Sequence, residues 1–563
     1  MVTGSTSPST ARAEPPGPLD DAGYNFLPPR LRAQLAVLPS LMRNPPEYFA
    51  QTARRYGGMV TLSPKRAYLV TDLDGIKHVL QDNHTNYIKG PWYQVLRPLM
   101  GDGLFSIDGD DWKRQRRLVQ PAFQRKHHAR MAGIMVDSTS RMLDRWEPYA
   151  SRAEAMDGRA EVILLTLEIL LRNMFSGDLT GSEEVLRESI LDCSRHMDLV
   201  GAVKLVKVLT WFRFAKRRRF ERGVRTLDQF VLHVIEERRR NQIDNGDLVS
   251  LLLWARDEQT GESMSDHQLR DELKTMLQAG NDTVADAIAW TWYLLAKHPE
   301  VRERLELEVD SVLQGRPPGF EDLPALVYTQ RVIMETMRLY PPGWVFARSA
   351  VKDDVIGGYR IAADALVIIS PYVMHRLPSL WEDAEKFDPD RFLAERSQGR
   401  PRFAYFPFSA GPRQCIGADV AMMETKMIVA MAAQRYRLSV PADFSPGLKA
   451  RISLTADCAI TLTPIARQPH LAAAHPEWLD CCLRGHGEGT GGGHDRTTGY
   501  VARGDIRDHR GQNCAAVFAA DAHGGVRRGF YASWSSMFPF MAIFSWCSAG
   551  HRCAYCPASR WGQ

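Results

Sequence analysis

The sequence predicts a mainly α-helical domain with small peripheral β-sheets, on three observations. From about residue 73 to 340 apolar residues recur mostly at helical spacing. Strand-like alternation is confined to short stretches, "GMVTLSPKRAYLVTD" (58–72) on one side of that region and "GGYRIAADALVIIS" (357–370) and "ARISLTADCAITLTP" (450–464) on the other. With 563 residues, 44% hydrophobic and 24% charged, the chain has globular composition and is long enough for one large buried core.

Taken in order, residues 1–27 are rich in Pro, Ser, Thr and Gly with no apolar core, so they read as a disordered leader, neither a signal peptide nor a membrane anchor. Residues 58–72 read as two strands around a Ser63-Pro64 turn. In "DDWKRQRRLVQPAF" (110–123), Asp110 and Asp111 favour a helix start, and Trp112 and Arg116 fall on one face. "EVILLTLEILLRNMF" (161–175) carries internal charges and falls short of the roughly 20 apolar residues that span a bilayer, so no integral membrane segment is expected. A long helix is expected from Ser265 to Lys297, because Ser265 and Gln268 form a capping-box pattern and Met264 and Leu269 are placed as a hydrophobic staple. The two later strand-like stretches flank a glycine-rich cysteine loop and a helical stretch after it.

Charge and cysteine usage narrow the function. A net charge of +5 is small for this length, and no basic run interleaved with aromatics marks a nucleic-acid groove. Up to residue 466 only Cys193, Cys415 and Cys458 occur, too scattered for a disulfide framework, which suits the cytoplasm. From 467 to 563 the composition shifts to Cys, His and Gly without sustained periodicity, so the expected domain is 28–466 and the remainder a disordered or non-native extension, such as a shifted reading frame yields. Its "HRCAYC" lacks the second pair that would define a zinc site.

The chemistry centres on "FPFSAGPRQCIG" (406–417), with Phe408, Gly411, Arg413 and Gly417 around Cys415. A thiolate iron ligand needs a rigid turn whose backbone N–H groups point at sulfur, and its charge pushes electron density toward O–O cleavage. Glycines permit such a turn. Gly417 lets the next helix approach a flat cofactor, and Arg413 is placed to pair with a propionate. A second stretch, "QAGNDTVADAIAW" (278–290), puts Ala279 and Thr283 on one helix face, with Gly280 where a cofactor or bound oxygen comes close and Asp282 beside the hydroxyl. An acid next to an alcohol, opening a local water-filled bulge, suits proton delivery to oxygen.

These motifs resemble those of the cytochrome P450 family, in the family's order. Residues 408–417 match its haem-binding signature, and 278–283 resemble its A-G-x-[DE]-T motif. Glu335 and Arg338 of "ETMR" with Arg391 of "FDPDRF" resemble the Glu-Arg-Arg triad that braces the core behind the haem. Taken alone, Glu335 and Arg338 would be an ordinary i,i+3 surface pair; their order and spacing relative to Cys415 decide otherwise. The resemblance implies that Trp112, Arg116 and Arg348 hold haem propionates. Lys113, Arg114, Arg117, Arg125 and Lys126 would form a docking face for an acidic electron carrier, and "LTWFRFAKRRRFER" (209–222) an access lid. Val284 departs from the family, where many relatives carry a second hydroxyl.

The implied protein is a soluble bacterial-type monooxygenase with haem b (iron protoporphyrin IX). It would use O2 and electrons from NAD(P)H, through a ferredoxin or flavodoxin and its reductase, to hydroxylate or epoxidise a hydrophobic small molecule: a fatty acid, terpenoid or polyketide. Two alternatives stand beside it. A peroxide-driven enzyme of the same fold needs no proton relay, and a non-catalytic haem sensor needs neither relay nor docking face.

Overall fold

The computed structural model describes residues 15–18, 43–63, 66–176, 181–196 and 214–467. Its principal helices are α1 (Pro45–Tyr56), α2 (Gly109–Val119), α3 (His128–Arg145), α4 (Gly158–Phe175), α5 (Glu183–His196), α6 (Phe214–Asn241), α7 (Asp266–Lys297), α8 (Pro299–Leu313), α9 (Val327–Leu339) and α10 (Ala418–Arg435). The strands are β1 (Met59–Ser63), β2 (Ala67–Val70), β3 (Tyr87–Ile88), β4 (Met156–Asp157), β5 (Phe346–Ala350), β6 (Asp354–Ile356), β7 (Tyr359–Ile361), β8 (Leu366–Ile369), β9 (Tyr436–Ser439), β10 (Leu448–Ala450), β11 (Leu454–Ala456) and β12 (Thr461–Ala466). The expected class, helices with small separate sheets, is what the chain forms.

Helix α7 is the axis of the domain. The capping box is present: Gln268 N–H donates to Ser265 Oγ at 3.2 Å, and Ser265 N–H donates to Gln268 Oε1 at 3.1 Å. Met264 and Leu269, the staple pair, are both buried in one apolar cluster. From Val284 to Leu295 every residue of α7 is buried, Asp286 and Thr291 included, because the helix is packed on all sides. Its neighbours include α4, α6, α9 and α10. Trp290 stacks on Tyr340 at 4.0 Å between centroids, and Trp146 meets Trp292 edge-on at 5.2 Å, giving the core large aromatic contacts.

The largest sheet has strand order β1-β2-β8-β5-β3. β1 and β2 pair antiparallel with a bulge between Thr61 and Ser63, the expected hairpin. β2 runs parallel to β8, and β8 antiparallel to β5, which brings Arg348 into the sheet opposite Val367.

Described residues extend beyond both expected domain edges. Within the leader, residues 15–18 dock on β1: Thr61 N–H donates to the Pro16 carbonyl at 3.0 Å and Thr61 Oγ1 to the Pro15 carbonyl at 2.7 Å. An edge strand leaves backbone groups unpaired, and a proline-rich extended segment offers carbonyls to them. At the other end the Arg467 side chain is buried and belongs to the fold. Its guanidinium pairs with Asp310 and, at 3.2 Å, with Glu306. The rest of the tail and the first five residues of the expected lid lie outside the described residues, whereas 214–222 open α6. Among the described residues no helix is long and apolar enough to cross a membrane.

Candidate active site

The cysteine loop is held by backbone geometry. Gly411 has φ +70°, and a Cβ there would lie 1.9 Å from the Leu80 carbonyl oxygen, so no other residue fits. Ser409 also takes a positive φ of 62°, and the turn closes when Cys415 N–H donates to the Phe408 carbonyl at 3.0 Å. Phe408 packs beside Ala287 of α7 and Met337 of α9, anchoring the loop to the core. Gly417 is the N-cap of α10, its N–H donates toward the Cys415 sulfur, and a Cβ on it would make only an ordinary contact with Phe123. Cys415 lines a recess of about 240 Å³ with Arg116, Gln120, Phe123 and Gln414. The surrounding protein pushes the thiol up, while the Gly417 N–H and the Arg116 charge favour the thiolate. A coordinated metal would deprotonate it outright.

Arg413 of the loop belongs to a group of basic side chains with Arg348 and Lys89. Arg413 donates to Asp108 at 2.6 Å and to the Ile107 carbonyl at 2.7 Å, and its guanidinium carbon lies 4.0 Å from the centroid of the buried Trp112 ring. Burial pushes Arg413 down to about 10, and Arg348 adds to the effect. Arg348 is buried, donates to the Ala347 carbonyl at 2.8 Å, and has no carboxylate partner among the described residues. Lys89 is buried too, donates to the Phe105 carbonyl at 2.5 Å and faces the Tyr93 and Phe105 rings. Burial, with Arg348 and Arg413 nearby, drives it far below the usual lysine range.

Of these three basic side chains only Arg413 pairs with a carboxylate among the described residues, Asp108, and burial pushes the neighbouring Glu272 up to about 8. Such an excess of positive charge is costly without an anionic occupant. It fits a cofactor that is dianionic on this side and takes a thiolate from below, as haem is. Lys89 and Asp108 were not among the sequence candidates. Lys89 sits in "NYIKG", which carries no motif, and Asp108 is revealed by its contacts with Arg413 and with the Lys89 backbone N–H.

Arg116 lies beside the sulfur, donating to the Gln414 carbonyl at 3.0 Å. Ala279 is exposed on α7, and Thr283 Oγ1 donates to its carbonyl at 2.7 Å. The expected bulge is not there: α7 runs as uninterrupted α-helix through this segment, and the Thr283 hydroxyl bonds back within its own turn. The space beside Gly280 also differs from expectation, since a Cβ there would press on Leu170 of α4 at 3.3 Å. Its missing side chain admits the neighbouring helix. Asp282 bonds to the Ser194 hydroxyl, which also accepts from Gln278 at 2.9 Å, and burial raises the acid's proton affinity. Val284 is buried in the core cluster.

The triad residues come together without solvent. Arg338 donates twice to Glu335, at 2.7 and 2.8 Å, and also to the carbonyls of His375, Ala384 and Lys386. Arg391 lies 3.4 Å from Glu335 and donates to the Asp383 carbonyl at 2.8 Å. The basic face is partly neutralised. Lys113 pairs with Asp110, Arg114 with Glu262 and Arg117 with Asp257, while Arg125 and Lys126 make no ion pair among the described residues.

A thiol-bearing loop packed against a long central helix, with under-neutralised basic residues beside it, has the features of the haem-thiolate class. The family model described as Cytochrome P450 matches residues 29–454. Cyclooctatin synthase of Streptomyces melanosporofaciens is 34% identical over 74% of this chain and 90% of its own. Cyclooctat-9-en-7-ol 5-monooxygenase of the same organism is 35% identical over 71% and 86%. Pentalenene oxygenase of Streptomyces avermitilis is 31% identical over 71% and 89%. The crystal structure of the cytochrome P450DA heme domain superposes with a TM-score of 0.72 at 26% identity, covering 82% of this chain and 99% of that one. The chain belongs to the cytochrome P450 family and is a P450 monooxygenase.

Proposed function

We propose that this P450 inserts one oxygen atom of O2 into a C–H or C=C bond of a terpenoid, taking two electrons from NAD(P)H through a separate reductase and a ferredoxin or flavodoxin. The observation that carries the site chemistry is the presence of two features: the recess at Cys415 and the under-neutralised basic residues Lys89, Arg348 and Arg413. Haem b bound there supplies the oxygen activation of the family. Cys415 would ligate its iron, and Lys89, Trp112, Arg116, Arg348 and Arg413 would hold its propionate edge.

Asp282 keeps a proton closer to neutrality than a solvated aspartate does, because the surrounding protein desolvates it and the Asp286 charge lies near. Thr283, next in sequence, presents a hydroxyl that can turn from the Ala279 carbonyl to a substrate-side acceptor. Together they hold and pass protons. Around the Cys415 recess, Gln120, Gln124, Arg125 and Lys126 form the face that would receive the electron carrier. The substrate class rests on the terpenoid-oxidising relatives, and the absence of a spanning helix among the described residues supports a cytoplasmic location.

The test is a spectral binding screen of cyclic terpenes, fatty acids and macrolides on haem-loaded protein, followed by turnover with a surrogate ferredoxin pair. A terpene-specific shift with oxygenated product is expected, and the reduced carbonyl band typical of thiolate ligation should vanish in Cys415→Ala. A fatty-acid-specific shift would overturn the substrate class. Turnover with peroxide alone would overturn the electron route.

A further inference from the structure

We propose that the buried Arg159–Asp286 pair is a positioning device that sets the proton affinity of Asp282 and so times proton delivery. The inference rests on the reading of Asp282 as the relay acid. Asp286 lies one turn beyond Asp282 on α7, which puts their Cβ atoms about 5–6 Å apart on one face. Arg159, in the first turn of α4, donates through Nε to Asp286 Oδ1 at 2.6 Å. Its place is fixed because Asp157 caps that helix, accepting from the N–H groups of Arg159 and Ala160 at 3.1 Å.

Two features separate this pair from an ordinary structural bridge. The side chain of Asp286 is 1% exposed and that of Arg159 19%, so water screens the carboxylate little. Asp286 Oδ2 is also buried and has no partner, although a planar guanidinium readily engages both oxygens of a carboxylate. The pair is therefore held at one oxygen, and the second carries no hydrogen bond to offset its charge.

Charges of opposite sign then act on Asp282 from neighbouring positions. The Asp286 carboxylate disfavours ionised Asp282, and the Arg159 guanidinium favours it. The other groups facing Asp282 are the Ser194 hydroxyl from α5 and Arg451 from the segment between β10 and β11, both favouring the ionised form. With the pair intact its two effects oppose each other. Removal of either member unmasks the other, so the two single variants must shift Asp282 in opposite directions, which a merely structural pair would not do.

The test uses full-length haem-loaded protein and reads the carboxyl C=O infrared band against pH, with the Asp282 component assigned by its loss in Asp282→Asn. Asp286→Asn should lower that component's midpoint by about one pH unit, and Arg159→Gln should raise it by about as much. Arg159→Lys should leave it in place. The alkaline limb of product formed per NAD(P)H consumed should move with the midpoint. Should Asp286→Asn not hold haem, Arg159→Gln against Arg159→Lys decides alone. Shifts in the same direction, no shift, or no band component lost in Asp282→Asn would overturn the proposal. Opposite shifts of the midpoint with a coupling limb indifferent to Asp282→Asn would uphold the pair's electrostatic role and overturn the relay reading.

Discussion

Gly411 and Leu80 touch backbone to backbone: a Cβ on the glycine would stand 1.9 Å from the leucine carbonyl oxygen. With φ at +70°, an alanine there adds about 1–2 kcal/mol of left-handed strain to that clash. Gly411→Ala is expected to displace the turn that carries Cys415, lowering both haem content and melting temperature. Wild-type values of both would show that the loop tolerates movement.

Thr283→Ala removes one hydroxyl from α7 without touching the cysteine loop. Haem content and substrate binding should persist while electrons are diverted to peroxide or excess water, lowering product per NAD(P)H several-fold. Unchanged coupling would remove Thr283 from the relay.

Glu424 of α10 is buried with Oε1 unpartnered, and burial pushes its carboxyl up to about 8. An acid raised in the folded state stabilises fully below its unfolded value of about 4.5, and that contribution is lost as pH rises through about 8. Glu424→Gln is therefore expected to be a few kcal/mol more stable than wild type at pH 8–9 and to converge with it near pH 4–5. Parallel stability curves across that range would show that Glu424 is not protonated in the fold.

Arg467 is the last described residue, and its loss leaves Asp310 and Glu306 buried with one cation fewer. Breaking a buried ion pair from one side costs about 3–5 kcal/mol. A chain ending at 466 should thus melt lower than one ending at 467, while the latter should match full-length protein in haem content. Equal melting of the two truncations would contradict the role of Arg467, and haem loss on removing 468–563 would show that the tail belongs to the working domain.

Much of this domain was legible locally. The capping box of Ser265 and Gln268, the hairpin around Ser63-Pro64 and the Glu335–Arg338 contact all involve residues within a few positions of each other, where backbone dihedrals and helix periodicity decide the outcome. The same holds for the turn at Gly411 and the placement of Cys415 just ahead of α10. What sequence alone determined is therefore the class, the order of elements and the ligand loop. Tertiary structure decided the electrostatics. It brought Lys89, Arg348 and Arg413 near one another, set Arg159 against Asp286, kept α7 regular at Thr283, turned Gly280 toward Leu170 and neutralised most of the basic face with Glu262, Asp257 and Asp110. Burial and charge at a site depend on which distant elements pack there, a sum of many weak contacts that no short stretch of residues encodes.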